Sequence, residues 1–250
     1  MTRARRAGFT LVELLACVGM LAALSALAAG VAWRAIEAGR AASCQNNLRQ
    51  LVRANWAYAA DHGTFVAAAT DIEDGNEVRW HGVRDGSGGF AAQGGLTEYL
   101  GGAGGSGAVR RCPSFPASGT GFEASCGGYG YNAHGVGSQV CMPEPNAGTS
   151  RGLPPARLGH PATTAMFTDS AYAQGRGAEA SLVEYSFCEP REWAGGGTPW
   201  PTVHFRHLGC ANVAWCDGHV SRERRTATGA RGAELGLGWF GADGADLFSP

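Results

Sequence analysis

The chain opens on its most regular pattern. From Phe9 to Trp33 only Glu13 is ionisable and proline is absent. A helix of that length, rising about 1.5 Å per residue, is long enough to cross a bilayer core of about 30 Å. From Arg34 polar residues enter, but apolar positions continue at three- and four-residue spacings through Leu48, Leu51, Val52, Trp56 and Ala59. That spacing predicts one apolar face, with Arg40, Arg49 and Arg53 off it. Gly63, after Asp61 and His62, reads as a carboxyl-terminal stop. The pattern predicts a single helix from Phe9 to about Asp61. Residues 9–33 form its membrane half and 34–62 an exported amphipathic half.

Beyond residue 63 the period changes. Short apolar pieces (Val78 to Trp80, Leu96 to Leu100) alternate with glycine-rich turns, and 109–160 reads as loops with short strands. The clearest strand is Thr163 to Thr168, ending at Asp169-Ser170. From Val203 two alternating runs flank Leu208-Gly209. On the second run Val213 and Trp215 share one face, while Asn212, Ala214 and Cys216 share the other. Asp217-Gly218 then predicts a hairpin with a type I′ turn. No repeat of 20 to 50 residues is present, which excludes solenoids. The expected class is α+β, a long amino-terminal helix on an antiparallel sheet with a glycine-rich, loop-rich head over 63–250.

Composition narrows the function. Net charge is -1, only 16% of residues are charged, and glycine numbers 40 of 250. No basic patch suggesting nucleic acid lies beyond the leader; Arg222, Arg224 and Arg225 read as a solvated strand end. Arg3, Arg5 and Arg6 precede the apolar run, which by the positive-inside tendency keeps the amino end cytoplasmic and sends the head outward. A secretory signal needs an apolar region followed by a small-residue cleavage site. Here the basic leader ends abruptly at Gly8-Phe9, and a carboxylate sits early in the run. A lone intramembrane carboxylate is a functional-site candidate. Cys17 falls in the membrane half. Cys44, Cys112, Cys126, Cys141, Cys188, Cys210 and Cys216 would face an oxidising compartment, so disulfides are expected, with at least one thiol unpaired within the chain.

The segment G-F-T-L-V-E at residues 8–13 resembles the amino-terminal signal of type IV pilins and type II secretion pseudopilins. The resemblance implies a leader of residues 1–8, removed after Gly8 by a prepilin peptidase that methylates Phe9. It gives Glu13 a role in docking a subunit into the fibre. Gly30 stands where many members of that family have proline, so any kink there must come from glycine, a weaker helix breaker. The segment C-Q-N-N-L-R-Q-L from Cys44 is similar to the helix end of a large bacterial group of pilin-like proteins. His207 with Asp217-Gly218 matches the H-x9-D-G signature of that group, and Asn212 and W-F-G-A-D-G-A-D-L-F fit it too. Weaker echoes are Cys112-Pro113, Tyr129 to Asn132 and Asp169. The partners implied are the prepilin peptidase and other pilin-like subunits, in or at the cytoplasmic membrane, with the head outside it.

Three chemical readings remain to be weighed. A His207–Asp217 dyad is disfavoured, because with 212–216 extended at about 3.3 Å per residue Asp217 lies about 17 Å along the strand from Asn212, and His207 sits near the other end. His207, Cys210, Cys216 and His219 form a zinc-like set, but its members lie at opposite ends of one strand. The same length argues against a Cys210–Cys216 disulfide, which needs Cα atoms within about 7 Å; the two are expected to bond elsewhere. Asp243 and Asp246 could contribute to a calcium site, as resemblance to pseudopilins with a carboxyl-terminal calcium loop suggests; calcium takes six to eight oxygens. No nucleophile triad, P-loop or dinucleotide fingerprint appears. The expected function is a non-enzymatic fibre subunit with no required cofactor. The alternative is an anchored exported binding protein or enzyme that never polymerises.

Overall fold

The first helix, α1, runs from Leu11 to His62 without a break at Gly30. Its start is held by Thr10 and Glu13. Glu13 N donates to Thr10 Oγ1 at 3.2 Å, and the Glu13 carboxylate accepts from Thr10 N at 2.9 Å. This reciprocal pair is a capping box, which satisfies donors that a helix start leaves bare. Its end is Gly63, in the left-handed region at φ 76°, whose N–H bonds Ala59 O. That places glycine where a side chain would be strained. The computed structural model describes residues 9–71, 75–86, 89–101, 109–115, 123–138, 151–175, 180–191, 200–228, 232–242 and 245–250. The chain divides into two compact units, Met1–Gly39 and Arg40–Pro250.

In the first unit, residues 9–36 are all exposed, including Leu11, Val12, Leu21, Leu24, Leu27 and Val31. This stretch is long and apolar enough to be a membrane span or a signal sequence. The second unit starts where the helix acquires a buried stripe: Ala41, Cys44, Leu48, Leu51, Val52, Asn55 and Ala59. Each of the large apolar members contributes about 1.5–3 kcal/mol on burial. Trp56, predicted on the stripe, lies at its edge and is 38% exposed.

Twelve short strands follow among the described residues: β1 (Val78–Arg79), β2 (Gly82–Arg84), β3 (Phe90–Ala91), β4 (Tyr129–Asn132), β5 (Ala165–Asp169) and β6 (Tyr172–Gln174), then β7 (Ser181–Val183), β8 (Phe187–Cys188), β9 (Val203–His204), β10 (Cys210–Trp215), β11 (Val220–Arg224) and β12 (Leu237–Gly238). The main sheet has the order β11-β10-β5-β4-β8. All its neighbours are antiparallel except β4 and β8, so the sheet is mixed rather than wholly antiparallel as predicted. The remaining strands form small antiparallel sheets, β1-β2-β3, β12-β9 and β6-β7.

Strand β5 is buried throughout because both faces of the sheet are covered. On one face Met166, Ala214 and Cys216 join the core that contains Leu48, Leu51 and Val52 of α1. On the other, Ala165, Val213 and Trp215 pack with Phe240 and Phe248. The alternation read along β10 therefore holds. Asn55 is fully buried, yet satisfied: it donates to Tyr131 Oη at 3.0 Å and accepts from Val66 N at 2.9 Å. Asn132, next to Tyr131 at the end of β4, is likewise buried and satisfied, donating to Ala165 O and Phe248 O. Gly135 lies against that carboxyl-terminal segment; a Cβ there would sit 1.9 Å from Phe248 O.

The hairpin β10–β11 is present, but the type I′ turn lies at the opposite end of β10 from the one predicted. Leu208 and Gly209 both have positive φ, 54° and 79°, and His207 and Cys210 exchange both backbone hydrogen bonds. That is a type I′ turn, at Leu208-Gly209. At the other end only Gly218 has positive φ. Gly218 N donates to Trp215 O and Trp215 N to His219 O, giving a three-residue loop with a glycine bulge. Asp217 has no positive φ, so the predicted type I′ turn there is corrected.

Candidate functional site

The residues of the H-x9-D-G signature do not meet one another. They occupy the two ends of β10, and each end is tied to α1. At the far end, Asp217 accepts from His219 N at 3.0 Å and pairs with its Nδ1 at 2.6 Å. His219 stacks on Trp215, and Cys216 O accepts from the Trp56 indole N–H at 2.7 Å. Backbone bonds from Cys216 N to Thr164 O and from Asp217 N to Pro161 O pin the turn from behind. The Asp217-Gly218 pair is thus a turn, as its sequence suggests, and His207 is not its partner.

At the near end a buried polar node forms around Asp169, at the end of β5. Its Oδ1 accepts from Arg206 Nη2 at 2.7 Å, its Oδ2 accepts from Asn212 N at 2.7 Å, and the same Oδ2 lies 3.3 Å from His207 Nε2. Burial pushes this carboxyl up, but Arg206, His207 and the Asn212 N–H outweigh it and hold the group below the usual carboxylate range. Arg206 also donates to Gly128 O and Ser170 O, and its Nε lies 3.3 Å from Cys112 Sγ. His207 Nε2 is 3.5 Å from that sulfur. Cys112 is joined to Cys44 of α1 by a disulfide with Cα atoms 5.2 Å apart. Beside it Gln45 donates to Asn212 Oδ1 and Asn47 to Tyr129 Oη.

Scattered motifs therefore converge. Cys44, Gln45 and Asn47 come from C-Q-N-N-L, Cys112 from C-P-S, Tyr129 from Y-G-Y-N, and His207 and Asn212 from the tail. Together they bind the carboxyl-terminal half of α1 to the sheet. Arg206 was not singled out from the sequence, and no spacing or local signal marks it. The capping box at Thr10 is legible in the sequence as T-x-x-E, within the segment that resembles a pilin signal.

Catalysis is disfavoured at the node by its wiring. A relay triad uses one ring nitrogen for the orienting acid and the other for the nucleophile. Here Asp169 and Cys112 share Nε2, and His207 Nδ1 has no hydrogen-bond partner among the described residues. The sulfur is also committed to a disulfide. Cys126, Cys188, Cys210 and Cys216 have no disulfide partner among the described residues. Cys210 and Cys216 are not joined to each other, as expected, and neither is bonded to another of the described cysteines. Cys141 lies outside the described residues.

The remaining predicted sites are at the chain ends. Gly8 lies outside the described residues, and Phe9 is exposed. Glu13 is exposed and bonded to Thr10. For the calcium reading, Asp243 lies outside the described residues. Asp246 Oδ1 accepts from Phe248 N and Ser249 N, so one of its oxygens serves a turn. No family model, no curated protein and no solved structure matches this chain.

Proposed function

We propose that the chain is a membrane-anchored, prepilin-like structural subunit of a type IV pilus-like fibre or a type II secretion pseudopilus. A prepilin peptidase would remove residues 1–8 and methylate Phe9. The observation that carries this reading is the division of one unbroken helix: apolar and exposed over 9–36, then striped and buried from Ala41. An exposed apolar surface of that extent needs lipid or other copies to cover it. The node and the Trp56 contact brace the exported half of α1, as load along a fibre would require. In a fibre, Glu13 would meet the amino terminus of Phe9 on a neighbour, a pairing far stronger in a dry bundle than in water.

The capping box offers Glu13 a job within its own chain, and one substitution separates the two roles. Glutamine also serves in a capping box, but carries no charge. Under the assembly reading, Glu13→Gln and Glu13→Leu chains are both cleaved and membrane-bound, yet enter fibres poorly, measured by shearing and pelleting with cross-linking. Fibre from Glu13→Gln at wild-type yield would reduce Glu13 to a cap. Intact mass of the extracted protein tests processing: a mature start at Phe9 is expected, and one beyond Ala28 would mean an ordinary signal peptide. A second reading, an anchored binding protein that never polymerises, is favoured by a cleft of about 300 Å³ bordered by Tyr58, His62 and Arg151. Cleaved protein that never pellets or cross-links would select it.

A further inference from the structure

The node holds four side chains able to give one ligand atom each: Cys44, Cys112, Asp169 and His207, all buried, with those atoms within 4.8 Å of one another. They come from α1, the 109–115 segment, β5 and the turn after β9, so the grouping exists only in the folded chain. Tetrahedral zinc takes thiolates at about 2.3 Å and imidazole or carboxylate at about 2.0–2.1 Å. In such a tetrahedron a sulfur and a nitrogen stand about 3.5 Å apart, and a nitrogen and an oxygen about 3.3 Å. Cys112 Sγ to His207 Nε2 is 3.5 Å, and His207 Nε2 to Asp169 Oδ2 is 3.3 Å. Both edges have zinc dimensions. The two sulfurs, now bonded to each other, would complete the figure as thiolates about 3.8 Å apart.

Charge and ligand softness agree with that geometry. Two thiolates and one carboxylate carry three negative charges. A divalent ion together with Arg206, which touches Asp169 Oδ1 and Cys112 Sγ, balances them. Buried charge is tolerated when it is so paired. Two thiolates and an imidazole select zinc over calcium or magnesium.

We infer that in the dithiol form of the chain Cys44, Cys112, Asp169 and His207 form a buried tetrahedral zinc site, so that zinc and the disulfide are alternative occupants of one node. The chain leaves synthesis as the dithiol, and the metal form comes first. On conversion the two thiolates give up two electrons as the S–S bond forms. A disulfide-class oxidant takes those electrons, together with two protons from solvent, and becomes two thiols, and the zinc ion leaves to solvent. Either occupant fastens α1 to the 109–115 segment. This assignment differs from the His207, Cys210, Cys216 and His219 set, whose members stay at opposite ends of β10.

The test uses the full-length chain in detergent, prepared with the disulfide intact and after anaerobic reduction, and titrated with cobalt(II) and then zinc. The reduced chain should bind a single cobalt ion, with the intense visible bands of a tetrahedral site and a sulfur-to-cobalt charge-transfer band. Zinc should bleach both, and the oxidised chain should give neither. His207→Gln should abolish the spectrum, while Cys210→Ser leaves it unchanged. X-ray absorption of the zinc form should show two sulfur and two nitrogen or oxygen neighbours. The proposal is overturned by a reduced wild-type chain without tetrahedral cobalt, by a shell of three or four sulfurs, or by a folded His207→Gln chain that keeps the spectrum. The wild-type spectrum and shell decide the matter even if His207→Gln fails to fold.

Discussion

Replacing Asp169 by asparagine tests whether the node is held by charge or merely by shape. The variant keeps the volume, but its amide must turn an N–H toward either Arg206 Nη2 or Asn212 N, both at 2.7 Å in the native chain. Arg206, almost fully buried, loses its counter-ion. Removing one partner of a buried pair typically costs about 3–5 kcal/mol. Arg206 retains Gly128 O and Ser170 O as acceptors, which places the loss near the low end, about 3 kcal/mol. With a urea slope near the upper value of about 3 kcal/mol per molar, the midpoint should fall by about 1 M. Urea unfolding of the detergent-solubilised chain, followed by tryptophan fluorescence, reads it. The double variant Asp169→Asn/Arg206→Met removes both charges, so it should be less destabilised than the sum of the single variants by at least about 1 kcal/mol. A single-variant loss under about 1 kcal/mol, or strict additivity in the cycle, would refute the charge argument.

Two further outcomes follow from the same structure. Converting Cys44 and Cys112 to alanine opens a loop with sequence separation 68 and should lower stability by about 4 kcal/mol on the chain-entropy account, read in the same urea assay without reductant. For pH, burial pushes His81 and His204 down from 6.5 to about 3, helped by Arg79 and Arg206 respectively. The unfolded chain takes up these protons below about 6.5 and the folded chain does not, so stability is full above that pH and falls toward pH 3. Each histidine contributes a slope of at most about 1.4 kcal/mol per pH unit. Asp169, whose folded pKa is lowered from 3.8, contributes in full above that pH and loses its contribution as the pH falls below it, because the unfolded carboxyl then takes up a proton that the folded one refuses. Among the described residues His81 has no hydrogen-bond partner on either ring nitrogen, and its ring packs against Trp80 and Phe90. His81→Phe should therefore flatten the dependence of Tm on pH between 4 and 6.5; an unchanged slope would show that His81 is not the group responsible.

The elements of this protein were legible where periodicity is local. An unbroken apolar run, a three-and-four spacing and a glycine after Asp61-His62 sufficed to place α1 within two residues, because helix hydrogen bonds join near neighbours. Period-two alternation likewise put Val213 and Trp215 on one face of β10 and Ala214 and Cys216 on the other. Turn chemistry was only half legible: a leucine entered the left-handed region at Leu208 because the hairpin's closing bonds required it, while Asp217 did not. The mixed sheet, the Cys44–Cys112 bridge and the pairing of Asp169 with Arg206 and His207 were decided by tertiary structure alone. Their partners lie far apart in the sequence, and no spacing encodes which strand β4 lies beside or which thiol the helix brings to Cys112. Local order follows from bonds between neighbours in the chain. The node follows from burial, where a carboxylate, a guanidinium and an imidazole removed from water must find one another.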